Sequence, residues 1–135
     1  MLQKSKKQLG VGDFRVSPNQ IKYVNQVLNN GRLSYGYFLN EFEKKFAKLH
    51  NRKYAITCNS GTSALQIALA TLKEIGKWED GDEIMVPAIT FIASSNVVLQ
   101  NNLKPVFVDV DPKFYNINPR EIEKKITQKT RAIMP

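Results

Sequence analysis

The stretch Lys53-Tyr54-Ala55-Ile56-Thr57-Cys58-Asn59-Ser60-Gly61-Thr62-Ser63-Ala64-Leu65 decides the fold. Its first half reads as a short strand over 54–58. It passes through small and hydroxylated residues directly into an amphipathic helix, predicted from about 62 to 75 and closed by Gly76. Downstream the same alternation continues. A strand is predicted over 83–86 ahead of Pro87, then a helix around 92–100 and a strand over 105–110. A helix opened by Asn118-Pro119-Arg120-Glu121 follows, and a fourth strand starts at Arg131-Ala132-Ile133-Met134. Strands and helices repeating in this order require crossover connections, hence an α/β class with a mostly parallel sheet.

Upstream the pattern is purely helical. Ser17-Pro18-Asn19-Gln20 has the elements of a helix start: a serine N-cap, proline at the first helical position, and a glutamine able to bond back in a capping box. Gly31 ends that helix. A second helix spans 38–49, its apolar face set by Leu39, Phe42, Phe46 and Leu49 at spacings of three and four, and the turn-rich loop Gly31-Arg32-Leu33-Ser34-Tyr35-Gly36 joins the two. The first ten residues, MLQKSKKQLG, are expected to form a disordered basic tail. They lead into no apolar run of the kind a secretory signal needs.

The 135 residues fit one small domain, and 42% hydrophobic with 24% charged residues is an ordinary globular composition. The net charge of +8 raises the question of nucleic acid. Lys44, Lys45 and Lys48, however, sit late in one amphipathic segment and Lys124, Lys125 and Lys129 in another. There they complement the negative ends of helices. The reading is therefore neither nucleic-acid nor membrane binding, and a cytoplasmic location. The single cysteine, Cys58, is read as a small buried residue; with no second cysteine it forms no internal disulfide. His50, the only histidine, falls at a helix end, where capping or solvation outranks catalysis.

Two loops carry the chemistry. In Ser60-Gly61-Thr62-Ser63, glycine allows close backbone approach, helix-start amides point outward, and hydroxyls add donors. These residues alone read equally as a phosphate cup or as a plain N-cap. The second loop follows Gly81-Asp82-Glu83-Ile84-Met85-Val86-Pro87 and contains Thr90-Phe91. Ligands of open α/β sheets gather at the carboxyl ends of strands, so both loops can face one ligand, with a flat ring against Phe91. Taken by itself, Phe91 reads as a core aromatic.

In this order and spacing, these motifs resemble the DegT/StrS family of pyridoxal-phosphate (PLP) dependent sugar aminotransferases. The resemblance runs from about Gly31 to Pro135. It includes Gly31-Arg32-Leu33-Ser34-Tyr35-Gly36 ahead of Leu39-Asn40-Glu41-Phe42-Glu43, and then Asn59-Ser60-Gly61-Thr62-Ser63-Ala64-Leu65. It continues through residues 81–87 with Thr90-Phe91, and through Pro105-Val106-Phe107-Val108-Asp109-Val110-Asp111-Pro112.

The resemblance implies the N-terminal part of a fold type I, aspartate-aminotransferase-like large domain, incomplete over residues 1–135. It assigns the cofactor phosphate to Gly61 and Thr62, with Ser60 and Ser63 beside them, and the ring face to Phe91. It implies amino transfer from glutamate or a similar donor to a keto sugar carried on a nucleotide. The family's Schiff-base lysine and its ring-nitrogen aspartate lie past the end of these residues, so no catalytic residue and no metal ligand is assigned. Asp109 and Asp111 are read as structural. The expected protein is a truncated or split aminotransferase whose partner is a complementary chain or a homodimer copy. The alternatives are a non-catalytic remnant of a disrupted gene and, further off, a basic nucleic-acid module. The apolar run ending at Pro135 reads either as an edge strand or as a sheet cut short.

Overall fold

The computed structural model describes residues 15–135; the expected basic tail over 1–10 lies outside them. The described chain forms two compact units, one up to Ala55 and one from Ile56 onward.

In the first unit, α1 (Pro18–Asn29) begins with the capping box read from the sequence. The Gln20 amide donates to Ser17 Oγ at 3.3 Å, and the Ser17 amide donates to Gln20 Oε1 at 2.6 Å. Gly31 follows the helix at φ +64, a conformation that costs glycine little. In α2 (Tyr37–Leu49), Ala47 is the buried residue. Aromatic rings supply much of the remaining contact: Tyr23 meets Phe38 at 5.3 Å, and the Phe46 ring lies 4.4 Å from that of His50. His50 is the C-cap of α2, at the helix end where the sequence puts it.

The second unit consists of α3 (Gly61–Gly76), β1 (Glu83–Pro87), α4 (Ala93–Gln100), β2 (Lys104–Val108), α5 (Pro119–Lys125) and β3 (Thr130–Ile133). The three strands are parallel, in the order β2-β1-β3, so both connections cross over as the alternation requires. All five residues of β1 are buried, which suits a strand flanked on both edges and covered on its faces. Ile84 and Val86 form the core with Leu69 of α3, Val97 and Val98 of α4, and Leu103; Leu65, Trp78, Ala132 and Met134 pack against it.

Four sequence readings are corrected. Residues 54–58 are not a strand: no other strand of the described chain lies alongside them, and without a ladder their apolar alternation stays in water, with Ile56 80% exposed. Cys58 is accordingly half-buried and free rather than buried. Gly76 is the last residue of α3, and the left-handed cap falls on Lys77, at φ 50. The glycine serves space instead, because a Cβ there would overlap the Trp78 indole. Strand β2 also stops short of its expected end. Asp109 turns its carboxylate onto the Val110 amide at 2.8 Å, and Val110 then bridges antiparallel to Ile117. Asp111 accepts the amides of Lys113 and Phe114 at 2.8 and 3.0 Å, so both aspartates hold a turn.

Two carboxylates missed by sequence reasoning lock the strands. Asp82, 4% exposed, accepts from Arg131 Nε at 2.7 Å and from the Glu79 amide at 3.0 Å. Glu83, 7% exposed, accepts from Lys104 Nζ at 2.9 Å and Thr127 Oγ1 at 2.6 Å. The β1–β3 register jumps here: Glu83 pairs with Thr130 and Ile84 with Ala132. Arg131 is thus the extra residue of a bulge, free to send its guanidinium to Asp82.

The Arg131 hydrogen bond holds the Asp82 carboxyl below its ordinary 3.8, and the Thr127 and Lys104 hydrogen bonds hold Glu83 below its ordinary 4.5. As pH falls past those ordinary values the unfolded chain takes up protons before the folded one, so the stability that these two groups contribute drops and is gone below the lowered values. Thermal midpoints are therefore expected to be level near neutrality and to fall from about pH 5 downward. Asp82→Asn should lower the neutral-pH midpoint and flatten the acid limb; an acid limb unchanged in this variant would remove Asp82 from the account.

Many large apolar side chains stay in water, among them Leu49, Ile56, Ile75, Phe91 and Phe114. Each forgoes roughly 1.5–3 kcal/mol of burial. These 135 residues expressed alone are expected to self-associate through such exposed faces, as read by sizing chromatography. A chain that elutes only as a monomer would contradict this.

Candidate functional site

Helix α3 begins at Gly61 because Ser60, in extended conformation, caps it: Ser60 Oγ accepts the Ser63 amide at 3.1 Å and donates to Ser63 Oγ at 3.0 Å. The two serines therefore hold each other. Between them, Gly61 and Thr62 are exposed, and the Thr62 hydroxyl has no hydrogen-bond partner among the described residues. A Cβ at Gly61 would meet nothing within 4 Å, and its backbone does not adopt positive φ. Neither the fold's space nor its backbone demands glycine there. The first turn of α3 holds no acidic residue, so an anion brought to these amides meets no carboxylate of the turn.

Phe91 lies in the loop between β1 and α4. It is 75% exposed, so the core-aromatic reading fails. Its carbonyl accepts the Ser94 amide at 3.0 Å, and Thr90 Oγ1 lies 3.0 Å from Ser94 Oγ. Ser95, buried at the start of α4, donates to the Ile92 carbonyl at 3.1 Å. The hydroxyls of this corner went unread in the sequence, although Thr90 and Ser94 stand one helical turn apart ahead of an apolar run.

Packing brings the two loops to the same end of the sheet. The loop carrying Phe91 leaves the carboxyl end of β1 by chain connection. Helices α3 and α4 meet at their C-terminal ends, where Lys73 Nζ donates to the Asn101 carbonyl at 2.8 Å. Leu65, near the start of α3, lines one apolar cleft with Met134 and Pro135, just past the end of β3. Both helices thus open at the carboxyl end of the parallel strands, the end at which α/β sheets bind ligands. The Asp82 and Glu83 locks lie at the opposite end. Elsewhere, part of the positive charge is spent in ion pairs, Lys44–Glu41, Lys73–Asp80 and Lys124–Glu121 among them. Among the described residues no group of three or more His, Cys, Asp or Glu side chains is arranged to hold a metal, and no helix is long and apolar enough to cross a membrane.

The sequence profile of the DegT/DnrJ/EryC1/StrS aminotransferase family matches residues 15–135, and the chain belongs to that family. It is 41% identical over 128 residues to the GDP-perosamine synthase of Caulobacter vibrioides, a match covering 94% of this chain and 33% of that protein. To the UDP-2-acetamido-2-deoxy-3-oxo-D-glucuronate aminotransferase of Pseudomonas aeruginosa it is 38% identical, covering 83% and 30%. Among solved structures, the E. coli GDP-4-keto-6-deoxy-D-mannose-3-dehydratase with bound hydrated PLP superposes with a TM-score of 0.83 at 28% identity, over 90% of this chain and 32% of that one. The fold is therefore part of the PLP-dependent sugar aminotransferase fold, and the chain spans about a third of the length of the curated relatives it matches.

Because nothing in the fold demands glycine at 61, Gly61→Ala is expected to leave the thermal midpoint unchanged or slightly raised, alanine being the better helix former. Gly76→Ala should cost about 1–3 kcal/mol through overpacking against Trp78. Denaturant titration of the two variants checks the contrast; equal losses would mean that Gly61 is structural.

Proposed function

We propose that these residues are the N-terminal part of the large domain of a PLP-dependent aminotransferase acting on a nucleotide-linked keto sugar. The observation that carries the reading is the pairing of two features at one end of the sheet. One is an open, carboxylate-free helix start with an unspent hydroxyl at Thr62; the other is an exposed aromatic face at Phe91. Family membership supplies the rest.

In this reading the Gly61 and Thr62 amides and the Thr62 hydroxyl hold the cofactor phosphate. Ser60 and Ser63 keep the turn in shape, and Phe91 covers one face of the ring. Bound PLP supplies an electron sink for moving an amino group from a donor such as glutamate to the sugar. The chain's own residues bind and orient it, and the lysine that the family uses comes from outside these 135 residues, in the continuation of the same polypeptide or in a second chain. A homodimer or complementary-chain partner follows from the same reading. So does a cytoplasmic location, where nucleotide sugars and glutamate are both supplied.

PLP titration followed by absorbance and fluorescence tests the site. Thr62→Ala removes a hydrogen bond to a charged group and is expected to weaken binding about tenfold to a hundredfold. Phe91→Ala should cost about twofold to tenfold. Wild-type affinity in both variants would move the cofactor elsewhere, and sustained transamination by the 135 residues alone would overturn the requirement for an outside lysine.

A further inference from the structure

An aromatic that serves as one wall of a binding site has to be held, and Phe91 is not held by packing. The residue is 75% exposed, and its apolar neighbours Ile89 and Ile92 are exposed at 65% and 63%. A loose side chain that becomes fixed on binding costs about 0.5–1.5 kcal/mol in lost rotamer freedom. What restrains this corner is a set of hydrogen bonds. Ser94 grips residue 91 through its amide, 3.0 Å from the Phe91 carbonyl, and residue 90 through its hydroxyl, 3.0 Å from Thr90 Oγ1. One residue on, buried Ser95 and the amide of Asn96 both donate to the Ile92 carbonyl, at 3.1 Å each. The corner is thereby fastened to a helix whose Val97 and Val98 are fully buried in the core. Threonine is apt at position 90 because its branched Cβ leaves few χ1 states, so its hydroxyl stays aimed at Ser94.

We propose that Thr90 and Ser94 are positioning residues: their hydroxyl link closes the backbone around Phe91 and presets the ring in the orientation in which it meets a flat ligand. The proposal rests on the reading of Phe91 as the ring-facing aromatic. It adds that the site's rigidity is supplied by two hydroxyls that need not touch the ligand. The competing role is purely structural, a side-chain cap for α4, whose Ile92 N-cap offers no side-chain acceptor. The two roles differ in what they move. A cap changes the stability of the helix, whereas a positioning link changes the motion of residue 91.

The test places a tryptophan at 91 (Phe91→Trp) in a Trp78→Phe background and reads its time-resolved fluorescence anisotropy without ligand, alongside PLP affinity and the melting midpoint. Adding Thr90→Val, which keeps the branched shape and removes the hydroxyl, is expected to widen the internal motion of residue 91. It should weaken PLP about twofold to tenfold, the range that the lost preorganisation allows, and move the midpoint by about 4 °C or less. Thr90→Ser, which returns the hydroxyl without the branch that aims it, should restore motion and affinity in part, and Ser94→Ala should reproduce the valine variant. Unchanged anisotropy in Thr90→Val and Ser94→Ala would overturn the proposal. So would weakened binding with unchanged anisotropy, which would make Thr90 a direct ligand contact, and so would failure of Thr90→Ser to restore. Phe91→Ala in the natural background separates the two readings: unchanged PLP affinity there removes the cofactor site, while the anisotropy arms still decide whether the link restrains residue 91.

Discussion

The pairing of β1 on both edges is the constraint on which the second unit depends. Every residue of that strand is buried, and a buried strand is tolerable only when its amides and carbonyls are all taken by neighbours. Strands β2 and β3 take them, and the carboxylates at its start fix which residues face which. Asp82 reaches across to Arg131, and Glu83 to Lys104 and Thr127, so each neighbour is tied to the central strand by a charge as well as by a ladder. A slip of one residue in either pairing would leave a buried carboxylate without its donor, a costly outcome in a low-dielectric place. The bulge at Arg131 belongs to the same logic, since the extra residue supplies the cation.

From that fixed sheet the two loops inherit their positions. Helices α3 and α4 lie against Ile84 and Val86 and run the same way, so their first turns emerge together where the strands end. The division of labour is spatial. Ionic locks occupy one end of the strands, and at the other end the first turns of α3 and α4 bring hydroxyls, open amides and an exposed aromatic residue. A carboxylate that stabilised the fold at the second end would repel the phosphate that the first turn of α3 is suited to receive. Keeping acidic residues out of the first turn of α3 is as much a part of the arrangement as the donors themselves.

Much of this was legible in the sequence, and the failures are instructive. The capping box at Ser17 and Gln20, the parallel crossover pattern and the helix start at Ser60 are local signals, set by neighbours within a turn, and each is realised. The strand over 54–58 failed because alternation specifies only which residues would face a core; it takes a partner strand to make a ladder. Gly76 was read as a backbone need when it answers to a ring two residues away, which no turn rule encodes. The Asp82 and Glu83 locks were invisible because their donors lie far along the chain, at 104, 127 and 131. At the candidate site, sequence reasoning found the residues that face outward. It missed Thr90 and Ser94, whose part is to hold the corner still and whose types are common in any helix start.

The strand order carries a consequence for how the unit comes to be folded. Strand β1 is made before either neighbour, with one flank supplied through α4 and the other only after α5 has been traversed. Pairing on the β2 side closes a short loop, while pairing on the β3 side closes a much longer one at a greater entropic cost. Loop closure therefore favours a β1–β2 seed over a β1–β3 one. In that seed the Asp82 carboxylate waits for a cation not yet in place, and the flank of β1 that β3 will cover stands open. An apolar strand with one unpaired flank is a template for whichever chain arrives first. Until the register around Arg131 is made, that flank of β1 stays open to the wrong neighbour.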